Sequence, residues 1–408
     1  SISYKRNGDE VFMKVLHITT IDTGGAYKGA YRLHENMSLY GIDSKILVRS
    51  KRNRSGVAIE AFSGSIEALL SKGKNGMNSI YSKGAIINER FGTDLSGHQA
   101  VREADMIILH WINSFLSCKD IVKLGRLGKP MVWVMHDMWV FTGGCHVDGY
   151  CGRYAERCGC CPLIGRNKDN DLSRKNFLKK MEMMRHLDIT ITGPSKWIVD
   201  QAYKSEVLTG KKIYYMPNVL DTSLYRPLVQ REKLRIQYGV NGKKKVVLFG
   251  AADDGTGNQN KGFRYLREAF EYLKVEEYLL LIFGNVKGKL ELPHGLEEVR
   301  AGYITEENKL VELYNIADVL VNPSNQESFG YTVCEAMACG TPVVGFPIGG
   351  VKEQIIHQVN GYLAEYHDAE DVAAGIKYCC ENRDRLGKEA YRTAQRYSYL
   401  QEWYRRII

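Results

Sequence analysis

No stretch of this 408-residue chain is a long uncharged apolar run, which excludes the helix of roughly 20 apolar residues that a bilayer crossing needs. The opening SISYKRNGDE has no basic stretch followed by an apolar core, so no export leader is expected. Tandem repeats and low-complexity segments are missing too, which argues against a solenoid or a disordered chain. The basic runs come without a nucleic-acid-binding motif, so no nucleic-acid partner is expected. What remains is ordinary: 44% hydrophobic and 25% charged residues, as in soluble folded domains. The net charge of +9 attracts phosphate groups, anionic lipid or nucleic acid without choosing among them. Ten cysteines without a secretion signal point to a reducing, cytoplasmic setting, where thiols serve as core residues, nucleophiles or metal ligands.

The length exceeds what one hydrophobic core usually supports, so two domains are expected, with a cleft between them as the default site. Met13 precedes the first apolar strand, and residues 1–12 are set aside as a tail or an expression remnant. Val15 to Ile18 reads as a strand, Gly24-Gly25 as a loop and Tyr31 to Tyr40 as a helix. Short buried-strand segments recur at Ile46 to Val48, Met106 to Leu109, Met131 to Met135, Ile189 to Ile191 and Ile213 to Met216. A second series follows at Val246 to Phe249, Leu279 to Phe283, Val299 to Ala301, Val319 to Val321 and Pro342 to Gly345, and then a helical tail from Tyr391. Alternating short apolar strands and helix-length spacers predict two α/β halves with parallel sheets, each Rossmann-like.

The segment from Glu327 to Val344 places two carboxylates, Glu327 and Glu335, eight positions apart around Gly330, with the second carboxylate opening a helical stretch. Backbone N–H groups of Phe329, Gly330, Tyr331 and Thr332 at a helix N-terminus suit a diphosphate, and Glu335 suits ribose hydroxyls. Taken with Asn322-Pro323-Ser324, Ala336-Met337-Ala338, Gly340 to Val344, Gly349-Gly350 and Glu353, this resembles the E-x7-E signature of family 4 retaining glycosyltransferases of group 1. A lone pair of carboxylates is usually a solvated surface pair; the flanking residues carry the resemblance here.

That resemblance implies the GT-B fold: two Rossmann-like domains facing each other across a cleft. It divides the chain into an acceptor domain over 13–221 and a donor domain over 222–391, with a helix over 392–408 packing back on the first. Glu327 then lies beside the donor sugar, Glu335 binds ribose, Lys261 reaches the donor phosphates, and Tyr303 lies beside the nucleotide base unless it is a core tyrosine. In the first half, Gly24-Gly25 resembles the loop that approaches the donor, and His136-Asp137 resembles the family's cleft-facing pair. The family's arginine after Val246 to Phe249 is missing; Gly250 to Gly255 stands there, and Arg264 is a candidate substitute. The implied partners are a nucleotide-sugar donor, UDP- or GDP-linked, and a saccharide or lipid-linked acceptor, with retention of configuration, in surface polysaccharide assembly. No catalytic divalent metal is expected, because no Asp-x-Asp motif stands where a diphosphate would need one. A non-catalytic nucleotide-sugar-binding protein and a GT-B epimerase are the alternatives.

Two features stand apart. Trp139 to Cys145, with Cys151, Cys158, Cys160 and Cys161, concentrates five thiols in one loop, a subgroup feature by resemblance. Cys145, Cys151, Cys158 and Cys161 form a candidate structural zinc site, against reduced thiols or disulfides as the plainer readings. Arg49 to Arg54 is a basic run, and Leu172 to Leu187 mixes Phe177, Leu178, Met181, Met184 and Leu187 with lysines and arginines. Such a helix either lies on an anionic membrane or buries its apolar stripe in a core, and the core is the commoner outcome.

Overall fold

The computed structural model describes residues 3–6, 9–53, 56–62, 70–71, 73–74, 76–78, 86, 90–165, 167–240, 244–251, 259–286 and 288–398. The chain divides between Val219 and Leu220 into two compact units. Within the stretch set aside as a tail, β1 (Ser3–Arg6) and β2 (Asp9–Phe12) pair antiparallel.

The first unit is built on β3 (Lys14–Ile21), β4 (Asp43–Ser50), β5 (Ile59–Glu60), β6 (Met106–Leu109), β7 (Met131–Val134), β8 (Thr190–Gly193) and β9 (Lys212–Tyr215). All of its pairings are parallel, in the order β5-β4-β3-β6-β7-β8-β9. Side chains alternate between two buried faces. Leu16, Ile18, Ile107, Leu109, Met131 and Trp133 enter one core, while Val15, Met106, Ile108, Val132 and Val134 enter the other. A parallel sheet buried on both faces needs crossover helices on both, here α1 (Gly24–Leu39), α2 (Gln99–Glu103), α3 (Cys118–Gly125), α4 (Leu172–Arg185) and α5 (Lys196–Tyr203). Ser117 and Asp120 close a capping box on α3, and the side chains of Asp171 and Ser195 cap α4 and α5.

In the second unit, β10 (Lys245–Ala251), β11 (Tyr278–Gly284), β12 (Glu297–Gly302), β13 (Val319–Asn322), β14 (Val343–Gly345) and β15 (Gly361–Leu363) pair in the order β12-β11-β10-β13-β14-β15. Every pairing is again parallel. Its helices are α6 (Arg231–Gln237), α7 (Phe263–Ala269), α8 (Glu307–Ile316), α9 (Tyr331–Ala338), α10 (Val351–Gln354), α11 (Ala369–Glu381) and α12 (Arg383–Ala394). Asp318, just before β13, ties helix α6 to the two central strands of this sheet. It pairs with Arg231 and Arg235 and accepts from the Val246 amide at 2.6 Å. Of the terminal helix expected over 392–408, residues 392–394 are the end of α12 and Gln395–Tyr397 form a 3-10 turn, and 399–408 lie outside the described residues.

β5 and β15 went unread in the sequence because two- and three-residue strands leave no periodicity. The glycines Gly24 and Gly25, expected in a loop, are the first residues of α1, Gly24 at φ +85°. Helix α4 buries most of its apolar stripe. Phe177, Met184 and Leu187 lie in the core and Leu178 is exposed, whereas Lys180, read with the charged residues, is fully buried. Arg54, at the end of the first basic run, lies outside the described residues.

Two of the buried polar residues of the first unit are imidazoles. His17 on β3 is buried, and His110, just past β6, is 2% exposed; His17 Nδ1 and His110 Nε2 stand 2.9 Å apart. Burial, then the charge of His34, lowers the His17 pKa to about 3, and burial, then His136 and His17, holds His110 well below its ordinary value. Both folded pKa values lie below the unfolded value of 6.5, so the unfolded chain binds more protons through that window. Their contribution is complete above about pH 6.5 and is lost progressively as pH falls towards the folded values, at up to about 1.4 kcal/mol per pH unit for each ring. Urea unfolding at pH 7.5 and 5.5 should show this slope, and His17→Leu should flatten it; equal slopes in the two proteins would contradict the assignment.

Candidate functional site

In open parallel sheets, ligands bind beyond the carboxyl ends of the strands where strand order reverses. That point lies between β10 and β13 in the second unit and between β3 and β6 in the first.

At the β10/β13 point, a 3-10 turn over Gln259–Lys261 leads to Gly262, whose φ of +68° and close approach to β13's exit require glycine. A Cβ there would stand 1.8 Å from the Pro323 carbonyl oxygen. Asn260 fastens this turn to the loop after β13. Its Oδ1 accepts from the Gln326 amide at 3.0 Å, its Nδ2 donates to the Gln326 carbonyl at 2.9 Å, and its own carbonyl accepts from the Asn325 amide at 2.8 Å. The result brings Lys261 to Glu327, Nζ to Oε2 at 2.8 Å, with both side chains partly exposed. Gly349 supports Glu327 from behind, since a Cβ at its φ of +46° would meet the Glu327 carbonyl oxygen at 2.0 Å.

Gly330, at φ +86°, caps α9, so Tyr331 and Thr332 open the helix while Phe329 packs into the core. The first turn of a helix leaves N–H groups without partners inside it. Asn322 Nδ2 donates to Thr332 Oγ1 at 3.2 Å. Glu335, one turn further, has no exposed surface, and the Tyr314 hydroxyl donates to its Oε2 at 2.7 Å. Burial, then this carboxylate, drives the Tyr314 pKa well above its ordinary value, so the phenol remains the donor. The ribose role expected for Glu335 therefore falls on a carboxylate already anchored in the interior.

Tyr303, directly after β12, is 57% exposed, which removes the core reading and leaves its ring on the surface. Arg264, the candidate substitute for the missing arginine, is exposed, donates to the Tyr265 hydroxyl and lies over the Tyr265 ring at 4.5 Å. The stretch 252–258, where the family's arginine would stand, lies outside the described residues.

In the first unit, the carboxyl ends of β3, β6 and β7 carry Gly24 and Gly25, His110, and His136 with Asp137. His136 Nε2 lies 2.8 Å from His110 Nδ1, and the two rings stack at 5.1 Å. Burial lowers the His136 pKa to about 4, with Asp137 opposing, so the ring is neutral near pH 7. Asp137 caps the 3-10 turn Met138–Phe141 through the Trp139 amide and accepts from His146 Nδ1 at 2.7 Å. Burial pushes its carboxyl up, but the charge and hydrogen bond of His146 outweigh that and hold it below its ordinary value. Asn113 Nδ2 meets His146 Nε2 at 3.1 Å. The buried Lys180 donates to the carbonyls of Trp139 and Thr142 and sits 3.5 Å from the centre of the Trp139 ring, holding the turn after His136 in place from α4. Asn260, His110, His146 and Lys180 were not singled out in the sequence, because only the strand order brings them to the candidate residues.

Cys145, Cys151, Cys158 and Cys161 line one small cavity together with Ile86 and Tyr154. All ten cysteines are free thiols. Burial raises Cys145 and Cys158 to about 12. The donor set is of the type zinc takes, but among the described residues no group of three or more His, Cys, Asp or Glu side chains is arranged to hold a metal ion. No helix among the described residues is long and apolar enough to cross a membrane.

The sequence and the fold both have relatives. The family model "Glycosyl transferases group 1" matches residues 230–396. A D-inositol 3-phosphate glycosyltransferase of Xylanimonas cellulosilytica is 31% identical over 206 residues, 46% of this chain and 48% of that protein, so the match spans about half the length of this relative. An uncharacterized glycosyltransferase of Methanocaldococcus jannaschii is 32% identical over 270 residues, 62% of this chain and 67% of that protein. The crystal structure of Anabaena HepE in complex with UDP-glucose covers 97% of this chain and 98% of its own, with a TM-score of 0.64 at 15% identity, which shows a shared fold. With two parallel-sheet α/β domains of GT-B type, a family model over 230–396 and an archaeal relative aligned over two thirds of its length, the chain belongs to the glycosyl transferases group 1.

Proposed function

We propose that this glycosyltransferase moves a sugar from a nucleoside diphosphate sugar to a saccharide or lipid-linked acceptor with retention of configuration, in surface polysaccharide assembly on the cytoplasmic side of a membrane. The observation that carries the reading is the Lys261–Glu327 pair at 2.8 Å, set beside the N-terminus of α9 at the strand-order reversal. A cation and the amides that open a helix lie where a diphosphate would bind. In this reading Lys261 and the first-turn amides of Phe329 to Thr332 neutralise the charge that develops on the departing diphosphate. The acceptor hydroxyl forms its bond to the anomeric carbon on the face that the diphosphate leaves. The departing phosphate oxygen takes the hydroxyl proton, so no protein base is required. Glu327 orients the sugar and Tyr303 the base, with neutralisation assigned to the protein and not to a divalent ion. HepE, crystallised with UDP-glucose, supports a UDP-linked donor as the first to test.

The same reading extends to an anionic membrane surface. A cavity of about 1160 Å³ between α3 and α4 is lined by Lys119, Arg126, Lys175 and Lys179 around Val122 and Leu178. Cations around an apolar floor match the interface of an anionic bilayer. Sedimentation with phosphatidylglycerol vesicles should carry the protein down at low salt, and a Lys119→Glu, Lys179→Glu double variant should stay in solution; equal partitioning of the two would remove the membrane from the reading.

Thermal shift against UDP-, GDP-, ADP- and TDP-sugars tests the donor site, since selective binding raises apparent stability by mass action. One nucleotide should stand out. Lys261→Ala should weaken it by about 2 kcal/mol, roughly 30-fold in Kd, as expected for the loss of a charged hydrogen bond. A null screen would overturn the nucleotide-sugar donor together with the binding-protein and epimerase alternatives, and unchanged affinity in Lys261→Ala would remove Lys261 from the phosphate role.

A further inference from the structure

Three imidazoles form one hydrogen-bonded line across the first sheet. His17 Nδ1 meets His110 Nε2 at 2.9 Å, and His110 Nδ1 meets His136 Nε2 at 2.8 Å. The rings stack successively at 5.2 and 5.1 Å. They come from β3, β6 and β7, three adjacent strands, so the line exists only because the strand order places these positions side by side.

A neutral imidazole carries one N–H and one lone pair. Each contact needs one proton between its two nitrogens, and the middle ring has only one to give. The line therefore runs in a single direction. Either every ring is Nδ1–H, donating outwards from His17 to His136, or every ring is Nε2–H, donating inwards.

Two observations choose between them. His17 Nε2 is buried and has no hydrogen-bond partner among the described residues, and the inward direction would place an N–H there with none of them to accept it. The neighbouring His34 stands edge-to-face at 6.3 Å, with its own Nδ1 engaged by Ser44 Oγ. At the other end, Asp137 is the anionic neighbour of His136, and the outward direction puts the positive end of the line on that ring and not on His17. Both ends favour Nδ1–H.

We propose that His17 and His110 are positioning residues that hold His136 as the Nδ1–H tautomer, so that it offers a hydrogen-bond donor, and not a base, to an oxygen of the bound sugar or acceptor. The lone pair of His136 Nε2 is consumed by His110, which leaves Nδ1–H as its outward group. Burial keeps all three rings uncharged near neutral pH, as the argument requires. Only the identity of the oxygen rests on the glycosyltransferase reading; the tautomer does not.

Long-range ¹H–¹⁵N spectra of the histidine-labelled full chain at pH 7.5 read each tautomer directly. His17, His110 and His136 should all show a protonated Nδ1 and a bare Nε2. A protonated Nε2 at His136, or a doubly protonated ring, overturns the proposal. Replacing His17 by phenylalanine removes the inner end, so His136, which shares no contact with residue 17, should acquire a mixed tautomer signal. An unchanged His136 spectrum in a folded His17→Phe variant removes His17 from the role. If that variant does not fold, the wild-type spectrum decides alone. The expected tautomers together with no thermal shift by UDP-glucose or any other nucleotide sugar would leave the line intact and overturn only the transfer reading.

Discussion

Parallel pairing governs this protein. Neighbouring parallel strands cannot be joined by a tight turn, so each must be followed by a crossover long enough to return the chain to the same end of the sheet. In both units that crossover is mostly helical, and helices cover both sheet faces, which is why strands such as Met131–Val134 and Val319–Asn322 are buried throughout. The arrangement leaves the carboxyl ends of the strands as the place where loops emerge together. Where strand order reverses, two successive loops diverge to opposite faces and leave room between them. Lys261 and Glu327 meet at one such place, and Gly24 and His110 stand at the other.

Within this frame the polar groups are held by buried partners more than by neighbours in sequence. Lys261 is fixed because Asn260 makes three hydrogen bonds to Asn325 and Gln326, and because Gly262 lets the chain approach Pro323 closely. The loop after His136 is fixed by Asp137, His146 and the buried Lys180. A lysine inside a protein survives only with acceptors to replace its water, and the carbonyls of Trp139 and Thr142 supply them. The thiol-rich loop lies directly beyond this turn, with left-handed backbone at Arg157, Cys158 and Cys160, conformations that non-glycine residues adopt only when surrounding packing imposes them.

Much of the architecture was legible before any coordinates, because buried parallel strands leave short apolar runs that survive in the sequence. Met106 to Leu109 coincides with β6 residue for residue, and Val319 to Val321 lies within β13. The start of α1 was less legible, since two glycines read as a loop when their neighbours are ignored. The burial of Lys180 was hidden, because a charged residue at helical spacing reads as solvated until an acceptor appears on another element. Glu335 shows the same limit: its place one turn into a helix was readable, its enclosure by Tyr314 was not.

The sequence by itself determined the class of the fold, the family through the Glu327 to Val344 segment, and the residues most worth testing, because these depend on local pattern and on short motifs. Only the tertiary structure decided that Lys261 and Glu327 are ion-paired, that Glu335 is interior, and that His17, His110 and His136 form one line. Those facts depend on which strands become neighbours, and residues 93 and 26 positions apart carry no local sign of contact until a parallel sheet has placed them on adjacent strands.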